Sequence, residues 1–150
     1  MVTIMSSADQ DLLNRVLRND LNAYTDRVFM SLMSADNYMP HWHTRAITAA
    51  LEKMIDGPVK KQMVLVPPRM GKSITGSVAF PAFLFVQNPA SKIMAISHSD
   101  MLATKFHNTM RNVVRAPWSR RLNPALKFAA ARKGQQSLRD TDRISPLRHY

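Results

Sequence analysis

The residues best suited to chemistry in this chain are Gly71, Lys72 and Ser73, set between a short apolar run and an amphipathic stretch. A phosphate chain is held by backbone N–H groups converging at the start of a helix, where the helix dipole also favours an anion. A lysine must reach the outer phosphates, and a hydroxyl must be free to ligate magnesium. Gly71 lets the backbone come close, Lys72 brings the charge and Ser73 brings the hydroxyl. The tripeptide alone turns up by chance in about one in ten chains of this length. The longer pattern G-x-x-x-x-G-K-[ST] is not met, because Val66 stands at its first glycine. Position supports the site instead, since an apolar run ends just before the loop and a helical pattern starts inside it. An ordinary strand-to-helix turn is the plain alternative.

The elements around this loop follow from periodicity. Leu12, Leu13, Val16, Leu17, Leu21, Tyr24, Val28 and Leu32 recur at three- and four-residue spacing, which predicts one amphipathic helix over 8–33. Ser7 and Gln10 fit a capping box at its start. A second helix is expected from Trp42 to Ile55, stopped by Gly57-Pro58. Met63–Val66 has the length and branching of a buried parallel strand, and Lys92–Ser97 reads as another. Helices are expected from Lys72 to about Val86 and, after a Ser97/Asp100 capping pattern, over 99–114; Ala116-Pro117 closes the last clear one. This order predicts an α/β class with a parallel sheet. Residues 127–150 are poor in large apolar side chains and predict a disordered basic tail.

Composition limits the partners. The 150 residues carry 21 Lys+Arg against 10 Asp+Glu, a net charge of +11, which points to a polyanion such as nucleic acid. Positive charge thickens through Arg111, Arg115, Arg120, Arg121, Lys127, Arg132 and Lys133, and a solvated face is the plainer reading of the same residues. No cysteine is present, which excludes disulfides and thiolate metal sites and fits a reducing cytosol. No signal peptide and no membrane-length apolar run is evident, so no membrane association is expected. His41 and His43, two residues apart, should face different sides of a helix, and no third ligand stands nearby. His98 and His107 read as surface or capping residues, and Met30, Met33, Met101 and Met110 as core packing.

Several blocks in order resemble the terminase large subunits of phages. Pro67-Pro68-Arg69-Met70-Gly71-Lys72-Ser73 is similar to their deviant Walker A loop, which often lacks the first glycine and carries an arginine. Pro40-His41-Trp42-His43-Thr44-Arg45-Ala46-Ile47 resembles the segment before it. Phe80-Pro81-Ala82-Phe83, the phrase from Ala95 to Phe106, and Pro117-Trp118-Ser119-Arg120-Arg121-Leu122 resemble the blocks that follow. The resemblance runs from about residue 38 to 124.

The resemblance implies an ATP-driven motor that packages double-stranded DNA, with the portal protein and small terminase subunit as partners. It implies a bacterial cytoplasm as the setting and a phage or prophage as the source. Lys72 and Ser73 would hold the phosphates and magnesium, with Met70 and Gly71 in the same loop; Arg69 would meet the γ-phosphate, and Trp42 and Arg45 the adenine end. The implied fold is an incomplete P-loop NTPase core of the ASCE type over 38–124. An N-terminal helical segment, 1–37, would precede it, and the tail, 125–150, would follow. No apolar strand ending in an acidic pair follows Ser97, and Asp140 and Asp142 sit in a polar context. The nuclease carboxylates of the family are missing too. The expectation is thus a truncated fragment that binds ATP without hydrolysing it. A non-enzymatic basic module that binds nucleic acid is the other reading, and a small nucleotide kinase is disfavoured because its acidic and lid residues are not evident.

Overall fold

Ser6 starts the first helix by a reciprocal cap: its hydroxyl accepts the Asp9 N–H, and the Asp9 carboxylate accepts the Ser6 N–H. The cap lies one residue before the expected Ser7. The computed structural model describes residues 6–33, 38–55 and 57–124; the tail expected over 125–150, with Lys127, Arg132, Lys133, Asp140 and Asp142, lies outside them. The helix expected over 8–33 is two helices, α1 (Ser7–Asn19) and α2 (Leu21–Leu32). Asp20 separates them with an extended backbone, φ −124° and ψ 109°. Its own N–H still reaches the Val16 carbonyl at 3.0 Å, while its Oδ1 accepts the Ala23 N–H at 2.9 Å. One residue therefore ends α1 and caps α2.

Next come α3 (Trp42–Ile55), α4 (Lys72–Ile74), a π-helical turn (Thr75–Ala79) and α5 (Phe80–Gln87). The last two are α6 (Asp100–Arg115) and α7 (Pro117–Leu122). From Lys72 to Gln87 the chain is one helical rod whose middle is widened, so that the Phe80 N–H bonds the Thr75 carbonyl five residues back. Proline explains the widening. Pro81 has no N–H and its ring would strike the carbonyl four residues earlier in a regular helix.

The rod packs among α1, α2, α3 and α6. Its buried Val78, Ala79, Ala82, Phe83 and Val86 meet Leu17, Leu21, Tyr24 and Val28 from the first two helices, with Ile47, Leu51, Val113, Val114 and Leu122 closing the core. Tyr24 sits at the centre, edge-on to Phe83 at 5.5 Å and beside Trp118 at 5.4 Å. Its hydroxyl lies 3.4 Å from the Ser119 Oγ. Where three chain segments end together, side chains bind backbone carbonyls. Arg18 donates to Leu122, Gln87 donates to Arg18 at 2.8 Å, and Asn123 donates to Val86 at 2.9 Å.

The α/β expectation, and with it the incomplete ASCE-type P-loop core, is overturned. Among the described residues every element is helical and there is no strand. The apolar runs at Met63–Val66 and Lys92–Ser97 stay irregular. Val64 and Val66 lean on the helical core, but Met63 and Leu65 are 78% and 83% exposed, and Met94 and Ile96 also face outward. A strand needs a partner to satisfy its N–H and C=O groups, and neither run has one among the described residues. The methionine reading needs correcting as well: Met110 packs on the core, whereas Met30, Met33 and Met101 are exposed.

Candidate functional site

Loop 67–71 leads into α4 through two left-handed residues. Arg69 has φ 65° and Gly71 has φ 72°, with Met70 between them. Pro68 followed by a left-handed residue is the pattern of a type II turn, in which glycine or asparagine is the usual occupant of Arg69's position. An arginine held there carries backbone strain of about 1–2 kcal/mol, a burden that functional loops commonly keep. Gly71 cannot be replaced without conflict, since a Cβ would lie 2.9 Å from Phe29 Cζ. The Phe29 ring is buried and forms the floor under the loop.

The floor is itself braced. Tyr38 stacks on Phe29 at 5.1 Å with the rings 6° apart, and the Tyr38 hydroxyl donates to Asp26 Oδ1 at 2.5 Å. Burial, then the Asp26 bond and charge, push the Tyr38 phenol well above its usual range, although the nearby Arg45 charge works against this. Tyr38 therefore stays a neutral donor throughout the ordinary pH range.

Loop and floor open onto a cleft of about 360 Å³ whose far wall is the start of α3. Trp42 stands there 80% exposed, edge-on to His43 at 6.1 Å. His41 and His43 were expected on different sides of a helix. They stack instead, 5.2 Å apart and 15° from parallel, because His41 precedes α3. Arg69, Met70 and Gly71 line this cleft together with Trp42, so the structure brings those four expected site residues into one place.

Lys72 and Ser73 occupy the first two helical positions beside the cleft, both exposed. Neither side chain is engaged by another described residue. Both are therefore open to solvent, and Thr75 secures the turn beneath them by donating its N–H and hydroxyl to the Gly71 carbonyl at 2.9 and 3.1 Å. Arg45 goes elsewhere. It lines a separate, open recess with Asp20, Asn22, Thr48 and Glu52, where Glu52 Oε1 accepts the Leu21 N–H at 2.9 Å.

Sequence reasoning passed over Phe29 and Tyr38. Phe29 lies off the row predicted to be buried, but Leu21, Thr25 and Phe29 form a second row at four-residue spacing that is buried as well. A helix buried on two faces leaves that signal. The arginines considered for DNA divide: Arg120 and Arg121 are exposed on α7, whereas Arg111 and Arg115 are half-buried on α6. No described helix is long and apolar enough to cross a membrane. Against known protein families, curated proteins and solved structures, the chain matches none.

Proposed function

We propose that the chain binds magnesium-ATP, with the phosphates on Arg69–Ser73 and the base against Trp42, as the nucleotide-holding part of a terminase-type DNA-packaging motor. One observation supports the nucleotide reading above the others. A strained cationic loop and an exposed tryptophan, 27 positions apart in sequence, line the same cleft. The motor reading rests on the ordered blocks between Pro40 and Leu122. In that role double-stranded DNA would be the polyanion that the +11 charge faces.

The described lining favours binding without turnover. Lys72 supplies charge to the outer phosphates, Arg69 meets the γ-phosphate, and Ser73 offers a hydroxyl to the metal. Magnesium, when bound, would neutralise phosphate charge. No carboxylate among the described residues lines the cleft to hold that metal or orient an attacking water. The test is calorimetric titration of the purified chain with magnesium-ATP, beside Lys72→Ala. A charge-assisted hydrogen bond is worth roughly 1.5–3 kcal/mol, so Lys72→Ala should weaken binding by about tenfold or more, with no phosphate release from either protein. ATP affinity unchanged by Lys72→Ala would sink the reading. Salt-sensitive DNA binding that survives the same substitution would then favour a nucleic-acid module, with Arg120 and Arg121 as its exposed cations.

A further inference from the structure

The cleft grips with aromatic faces, a thioether surface and a cation, and its side chains offer little that could read the edge of a base. Among the described residues no Asn, Gln, Asp or Glu lines it. Those amides and carboxylates are the groups that distinguish adenine or cytosine by paired donors and acceptors. The Tyr38 hydroxyl, which could have read a base, is already donated to Asp26. The two imidazoles lie face to face, and each presents a ring edge that can donate or accept as its tautomer changes. Thr44 lines the cleft too but is only 4% exposed, and a hydroxyl serves as donor or acceptor alike. The broad surface left to a base is the Trp42 ring, with Met39 exposed beside it. Stacking on such a surface tolerates every base, because every base has a π-face.

We infer that this cleft is a base-indifferent nucleoside-triphosphate site, in which Trp42 supplies stacking and loop 69–73 supplies charge. The inference rests on the nucleotide reading above and names its substrate class. Among the described residues, Arg69 is the one lining side chain able to read guanine with two hydrogen bonds. It belongs to the loop at the phosphate end, three residues from Lys72, and is spent there on charge.

Five ligands decide it: ATP, GTP, CTP, UTP and inorganic tripolyphosphate, each titrated calorimetrically with magnesium into the full chain and into Trp42→Ala and Trp42→Phe. ATP and GTP should agree within about threefold, and the smaller pyrimidines should fall below them by no more than about tenfold. Tripolyphosphate should be weaker than every nucleotide. Trp42→Ala should bring all four nucleotides down to the tripolyphosphate level, about ten- to a hundredfold, while Trp42→Phe keeps part of the difference. Trp42 is exposed, so circular dichroism should show the fold unchanged in both variants. A preference above tenfold between ATP and GTP overturns the inference, whether or not Arg69→Ala removes it. Tripolyphosphate binding as tightly as ATP overturns it too, yet leaves the phosphate loop standing. If none of the five binds, the nucleotide reading and this inference both fall.

Discussion

At Gly71 backbone and side-chain demands coincide. Its φ of 72° suits glycine, and the space a Cβ would take is filled by the Phe29 ring 2.9 Å away. Gly71→Ala should therefore lower stability by about 1–3 kcal/mol in urea unfolding, combining left-handed strain with a displaced ring. It should also weaken ATP binding, because Phe29 is the floor of the cleft. A variant as stable as the parent would show that the loop does not hold this conformation. The sequence marked Gly71 only as a residue that would let the backbone approach a phosphate; its left-handed φ and its dependence on Phe29 were not legible there. Nothing local in a sequence says which ring, 42 positions away, will lie beneath a glycine.

At the scale of elements, Asp20 and Pro81 do work that periodicity hides. Apolar spacing runs unbroken from Leu17 through Leu21 to Tyr24, so it predicted one helix, yet Asp20 is a strong N-cap and divides that helix in two. Asp20→Ala should cost about 1 kcal/mol, read as a lower urea midpoint with unchanged slope. An unchanged midpoint would mean that the Ala23 hydrogen bond contributes nothing. α3 has its expected bounds and α6 falls within a residue of its own, but the Ser97/Asp100 capping box is not made: Ser99 is the N-cap and gives no side-chain cap bond. The two apolar runs failed for a different reason. Length and branching describe a segment able to join a sheet, but a sheet exists only where another strand supplies the facing N–H and C=O groups. That partner is a property of the tertiary structure, and helices occupy the core here. The resemblance named Trp42 and Arg45 together; Trp42, at the start of α3, lines the cleft with loop 69–71, whereas Arg45, one turn on, lines the other recess.

At the scale of the whole molecule, everything converges on Tyr24, which touches α5 through Phe83 and α7 through Trp118 and Ser119. Burial pushes its phenol up to about 12, an effect that the Ser119 bond partly offsets. The folded-state pKa is raised above the unfolded value, so the neutral phenol is the form the fold prefers. Its stabilising effect is complete below pH 10 and is lost as pH rises from about 10 through 12. Alkaline unfolding, followed by far-ultraviolet circular dichroism, should begin in that window, and Tyr38 pushes in the same direction. Tyr24→Phe should move the transition to higher pH while leaving stability near neutrality little changed. A transition at the same pH in both proteins would remove Tyr24 from the explanation.

The clamp in which Arg18 holds the Leu122 carbonyl, Gln87 holds Arg18 and Asn123 holds Val86 also sets an order of events during synthesis. A ribosome releases α1 before α5 and α7, yet those two carry the groups that fasten it, the former nearly 70 residues later and the latter about a hundred. Until both have emerged, Leu17 has no finished core to enter. Such distant closures are the slow part of folding, because the intervening chain must give up its freedom before any contact rewards it. α1 is thus made well before it can be locked, and its apolar stripe stays open until α7 has followed.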